Sequence, residues 1–99
     1  MMQSPVSTNL PKRFWDKVTP AMFNGCWLWT ASLRKGYGRF WMNGKYRTSH
    51  ILSYRDAGYP IPVGAELDHT CTNKNCVNPA HLFPVTHQEN IIRASRRAR

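Results

Sequence analysis

Two of the three cysteines and two of the four histidines in this chain fall between Asp68 and His81. Their spacing separates two chemistries. Cys71, Cys76 and His81 form a C-x4-C-x4-H run of thiolates and an imidazole, the ligand types that zinc takes. Asp68 and His69 stand just ahead of that run and make a carboxylate beside a candidate general base. A structural zinc wants four ligands, and Cys26 is the remaining thiolate in the chain. In a cytosolic chain, three cysteines point to metal ligation rather than disulfides. The expectation is one structural Zn2+ held by Cys26, Cys71, Cys76 and His81. Asn78-Pro79 predicts a tight turn that aims His81 back at the ion.

The elements that must position these residues can be read in order. Residues 1–9 are polar, without an apolar h-region, and read as a flexible tail of a chain that is not secreted. Leu10 to Val18 predicts a short helix with Pro11 in its first turn and Thr19-Pro20 at its end. Ala21 to Gly25 reads as a loop and Cys26 to Thr30 as a buried strand. Ser32 to Gly36 reads as a basic turn. Tyr37 to Met42 and Lys45 to Thr48 read as two strands joined by Asn43-Gly44, a strong hairpin signal. Ser49 is suited to cap a helix from His50 to about Ala57, closed by Gly58. Glu66 to His69 reads as a strand ending at the candidate base, and Cys71 to Leu82 as a loop shaped by metal. Thr86 and Glu89 match a capping box that opens the last helix. The fold class is α+β: a small antiparallel sheet, short helices and a zinc-held loop, in one domain over residues 1–99.

Composition narrows the partner. The formal net charge is +9, from 14 basic and 5 acidic residues, and most of the basic ones are arginine. A small, very basic, aromatic-rich domain suits a polyanion, most often nucleic acid. No apolar stretch is long enough to span a bilayer, so no membrane partner is expected. Asn90, Arg93 and Arg97 share a helix face by their spacing, with Arg96 and Arg99 nearby. Arg34, Lys35, Arg39, Lys45 and Arg47 make a second basic area on the hairpin.

Six short motifs follow in order: Phe14-Trp15-Asp16-Lys17-Val18, Gly25-Cys26-Trp27-Leu28-Trp29, Gly36-Tyr37-Gly38-Arg39-Phe40, Asp68-His69, Cys76-Val77-Asn78-Pro79-Ala80-His81-Leu82 and Glu89-Asn90. Together they resemble the HNH endonucleases of the His-Me finger (ββα-metal) group. The similarity is to the zinc-containing branch found in phage enzymes, a feature shared with His-Cys box homing endonucleases. The resemblance implies a ββα-metal core over residues 66–97, with His69 activating water. It implies a catalytic Mg2+ or Mn2+ held by Asn90, to which Asp68 can add a second ligand, with His87 as runner-up. Family members often carry an arginine directly after the upstream histidine, here His50, whereas Ile51 stands in that place. Arg47, Arg55 and Arg39 are then the candidates for the phosphate contact, and His50 is read as a core histidine.

The function expected is metal-dependent cleavage of double-stranded DNA, with RNA the second choice. The alternative is a zinc-stabilised DNA- or RNA-binding module that does not cut. The expected location is the cytoplasm, that of the host cell if the protein is phage-encoded. Monomer and homodimer both stay open, as do the target sequence and the choice between nicking and double-strand cutting.

Overall fold

The structure is a computed structural model that describes residues 10–20 and 24–97, the side chains of 93–97 excepted. In chain order it forms α1 (Lys12–Trp15), β1 (Val18–Pro20), β2 (Trp27–Trp29), β3 (Leu33–Arg34), β4 (Tyr37–Met42), β5 (Lys45–Thr48), α2 (Ser49–Asp56), β6 (Ala65–His69), β7 (Leu82–Thr86) and α3 (His87–Arg97). A 3-10 turn, Pro79–His81, precedes β7. All strand pairs are antiparallel: β1 with β2, β3 with β4 with β5, and β6 with β7. The expected α+β class is what forms. Among the described residues no helix is long and apolar enough to cross a membrane.

The β4–β5 hairpin turns at Asn43 and Gly44, whose φ angles are 54° and 83°. Two successive positive φ values are what a type I′ turn demands, and Asn-Gly supplies them at little steric cost. Along β4, Gly38 and Phe40 are buried while Tyr37 and Trp41 are exposed. That period of two gives the sheet an inner and an outer face. On the inner face an added Cβ at Gly38 would lie 2.6 Å from the Trp29 ring and 2.9 Å from Ser49 Oγ. Only a glycine lets β4 approach that buried indole.

The core follows from this inner face. Leu10, Phe14, Trp29, Phe40 and Val77 pack into one cluster, with Phe14 edge-on to Phe40 at 5.1 Å between ring centroids. A smaller cluster of Tyr54, Leu67 and Leu82, flanked by Ile51 and Ile61, lies under β6 and β7. The chain from 75 to 77 is laid along β2: Trp29 N–H donates to Asn75 O at 2.9 Å and Val77 N–H to Trp27 O at 2.7 Å. The loop between β6 and β7 is therefore fixed to the N-terminal half of the molecule.

Several elements differ from the sequence expectation. The first helix ends at Trp15, because Val18–Pro20 pairs with Trp27–Trp29. β-Branched Val18 and Thr19 fit a pleated strand better than a last helical turn. Part of the basic turn is the short strand β3. Leu82–Thr86 is a strand rather than the tail of a loop. Pro84 is tolerated there because each strand of a two-stranded sheet is an edge. Thr48, not Ser49, occupies the cap of α2, and it makes no side-chain cap bond. Ser49 sits buried in the first turn instead. The capping box of α3 forms as read: Thr86 N–H donates to Glu89 Oε1 at 2.9 Å and Glu89 N–H to Thr86 Oγ1 at 3.0 Å. β6, β7 and α3 thus make a strand–strand–helix unit.

Candidate metal centre and nucleic-acid groove

Cys26, Cys71, Cys76 and His81 offer four ligand atoms that all lie within 4.8 Å of one another. His81 Nδ1 is 3.5 Å from Cys26 Sγ and 3.6 Å from Cys76 Sγ. A tetrahedral zinc with bonds of about 2.3 Å to sulfur and about 2.05 Å to nitrogen sets such a pair roughly 3.5 Å apart. The cluster is therefore compatible with a structural zinc. The protonation balance agrees. Burial pushes the Cys76 thiol up to about 12 and raises Cys71 as well, so thiolates there need a cation beside them.

Backbone geometry explains why the four converge. Cys26 precedes β2, and Cys76 forms a bridge with Leu28 of that strand. Asn78 accepts from Ala80 N–H at 2.9 Å, closing the turn that presents His81. Its Nδ2 donates to Gly25 O at 2.6 Å, which pins the turn next to Cys26. Asn73 Nδ2 donates to Cys26 Sγ at 3.2 Å, a contact that would steady that sulfur as a metal ligand. The turn was legible in the sequence; the clamp to Gly25 and the role of Asn73 were not.

His69 is outside the cluster, although Cys71 is its near neighbour. It is buried at the end of β6, and its Nε2 lies 3.0 Å from Cys76 O. A carbonyl oxygen only accepts, so Nε2 carries the proton and Nδ1 carries the lone pair. The His69 ring lies 4.5 Å from that of His50 and 5.9 Å from Tyr37. His50 is buried as expected, and burial together with the neighbouring His69 pushes its pKa down to about 3. Its Nδ1 has no hydrogen-bond partner, and the residue also lines an open groove of about 580 Å³.

The same groove is lined by Arg34, Arg39, Arg47, Glu66 and Asn90, among others. Asn90 Nδ2 donates to Glu66 Oε1 at 2.7 Å, so the amide nitrogen faces the carboxylate and Oδ1 points elsewhere. His87 Nδ1 lies 2.6 Å from Glu66 Oε2. These two partners, Asn90 first, hold the Glu66 carboxyl below its usual range. Sequence reading missed Glu66 and Tyr37, because each looks like an ordinary strand residue until its neighbours are known.

The other expected residues are distributed as follows. Asp68 is buried on β6 and is not among the residues lining the groove, and neither is His87. Arg39 and Arg47 line it; Arg55 is exposed on α2 and does not. Arg93, Arg96 and Arg97 belong to α3, but their side chains lie outside the described residues. Ile51 lines the groove and packs against the smaller core cluster.

Residues 47–91 match a family model described as HNH endonuclease. The matched segment includes His50, His69, Asn90 and three of the four clustered ligands, but not Cys26. Protein 7.7 of Escherichia phage T7 is 37% identical over 78 residues, covering 75% of this chain and 60% of that protein. Protein 2.8 of the same phage is 36% identical over 75 residues, covering 75% of this chain and 50% of that protein. The chain thus spans 60% and 50% of the length of these two relatives. No solved structure matches it significantly.

Proposed function

We propose, from the premise that residues 47–91 belong to the HNH endonuclease family, that this protein is a metal-dependent endonuclease acting on double-stranded DNA. The single observation that carries the reading is His69: its ring is held by the Cys76 carbonyl at 3.0 Å, with the proton on Nε2. The phage relatives favour the host-cell cytoplasm as its place of action.

His69 acts as the general base. Its Nδ1 lone pair takes a proton from the attacking water, while the Cys76 carbonyl holds the Nε2 proton and fixes the ring. Cys26, Cys71, Cys76 and His81 hold a structural zinc, which sets the position of that carbonyl. Asn90 would supply an oxygen donor suited to Mg2+ or Mn2+. Such an ion, when bound, stabilises charge on the leaving oxygen. Glu66 orients the Asn90 amide so that its nitrogen cannot swing in to replace Oδ1. Arg39 and Arg47 bind phosphate along the groove, in place of the arginine missing after His50. Arg93, Arg96 and Arg97 extend the cationic surface along α3.

The test is conversion of supercoiled plasmid with added magnesium or manganese, comparing wild type with His69→Ala. The wild type cuts, and His69→Ala cuts about 10²–10⁴-fold more slowly while keeping zinc and DNA binding. Wild-type cutting by the variant removes His69 as base. A variant that sheds its zinc moves His69 into the cluster. A wild type that binds DNA and cuts nothing leaves the zinc-stabilised binding module in its place.

A further inference from the structure

Of the outer face of the β3–β4–β5 sheet the cleavage scheme uses Arg39 alone, and the aromatic residues of that face have no part in it. Cross-strand register sets Arg34 opposite Tyr37 and Trp41 opposite Tyr46. With Arg39 between Tyr37 and Trp41 on β4, these five side chains share one face. Tyr37, Trp41 and Tyr46 are 37%, 53% and 49% exposed. The fold does not need them there, since the core rests on the inner face through Gly38 and Phe40.

These rings are braced. The Arg39 guanidinium carbon lies 4.0 Å from the Tyr46 ring centroid. Trp41 meets Tyr46 edge-on, at 5.1 Å and 80°. Arg13 Nη2 donates to Trp41 O at 3.0 Å. At the other end of the strip, Tyr37 lies 5.6 Å from His50 and 5.9 Å from His69. The strip therefore runs from the cleavage centre outward for about 13 Å along β4, the reach of a few nucleotides.

Rings interleaved with cations suit a chain that carries a flat base and a phosphate at every step. In a duplex the base faces are stacked on one another, and only their edges are open to a protein. In a single strand each base offers a face, and stacking on an aromatic ring is tolerant of sequence. We propose that the strip of Tyr37, Trp41 and Tyr46, with Arg34 and Arg39, binds single-stranded DNA by base stacking. The substrate is then DNA with an unpaired segment beside the scissile bond. The choice of DNA rests on the endonuclease reading; the stacking does not.

The experiment is a binding titration with no divalent ion added, so that nothing is cut. The probes are a short oligodeoxythymidylate, an oligouridylate of equal length and a closed hairpin duplex. Oligodeoxythymidylate should bind and quench the emission of Trp41, the most exposed tryptophan among the described residues. Trp41→Ala combined with Tyr46→Ala should weaken that binding by roughly 10-fold or more. Duplex affinity should hold, since phosphate contacts carry it. Trp41→Phe keeps a ring and should keep most of the single-strand affinity; zinc content and circular dichroism report that each variant is folded. Unchanged single-strand binding in the double variant overturns the proposal, as does an equal loss on single strand and duplex. Binding of oligouridylate as tight as that of oligodeoxythymidylate overturns the assignment to DNA. A protein that binds the single strand but cuts no plasmid overturns the endonuclease reading alone, and one that cuts without stacking overturns the strip alone.

Discussion

Cys76 stands between two regions built on opposite plans. Its thiol belongs to a cluster of four ligands drawn together within 4.8 Å. Its carbonyl holds His69, whose ring lies 4.5 Å from that of His50 in the lining of an open groove. The cluster is closed: its donors face one another, as a structural zinc site requires. The groove is open, and its groups are held by hydrogen bonds from different elements, Asn90 of α3 to Glu66 of β6 among them. The difference teaches a direction of dependence. On the proposed function the groove needs the cluster, because the carbonyl that holds His69 belongs to Cys76, one of the four clustered residues. The cluster needs nothing from the groove.

The largest effect that follows is loss of the whole fold on removal of zinc. Zinc binding to small sites contributes on the order of 10 kcal/mol, comparable to the entire stability of a small domain. A strong chelator should abolish the cooperative unfolding transition seen by circular dichroism, and cleavage with it. Retention of both after verified loss of zinc would break the comparison outright. Cys26→Ser sharpens it. That substitution should lower zinc affinity while leaving the groove residues of the folded fraction in place.

A smaller effect is expected when the groove is altered and the cluster is left alone. Glu66→Gln keeps the shape of the side chain but replaces a charged acceptor with an amide, weakening its hold on Asn90. Affinity for the catalytic ion should fall by about 10–100-fold, the usual cost of losing an orienting partner. Activity should return as magnesium or manganese is raised, whereas Asn90→Ala should be rescued only in part. Isothermal titration with manganese measures the affinity directly. Zinc content should not change in either variant, and a parallel loss of zinc would show that the two regions are not separable in this direction.

The smallest effect concerns pH. His50 has a folded pKa near 3, lowered by burial and by His69, against an ordinary value of 6.5. Such a group is neutral in both states well above pH 6.5 and costs nothing there. As pH falls below that value the unfolded chain takes up a proton that the folded chain refuses, so stability declines toward pH 3. At pH 5.5 the loss is on the order of 1 kcal/mol relative to neutral pH. Urea titrations of wild type and His50→Asn across pH 5.5 to 7.5 check this, because protonation of the zinc ligands is common to both proteins and cancels in the difference. A difference that does not vary with pH would place His50 in contact with water.

Much of the cluster could be read from residue order. Cys71, Cys76 and His81 are close in the chain, and residue type alone restricts what such ligands do. The hairpin turn and the capping box were also legible, since Asn43-Gly44 and Thr86/Glu89 act over two to four residues, where local sterics and hydrogen bonds dominate. The extent of the first helix and the strand Leu82–Thr86 were not. Strand pairing is a contact between distant segments, and Pro84 reads against it until its position in a two-stranded sheet is known. Family resemblance implied roles for His69 and Asn90, but neither it nor spacing indicated Glu66.

The sequence by itself determined the ligand chemistry, the positive charge and the local turns, because these depend on residue type and near neighbours. Only the tertiary structure decided that Cys26 meets His81 at 3.5 Å, that His69 is held by the carbonyl of Cys76, and that Glu66 holds Asn90. Each of these contacts joins segments whose approach is set by packing around Phe14, Trp29 and Phe40 and by the pairing of β6 with β7. Long-range approach of that kind is a property of the whole packed chain, and no window of residues carries it.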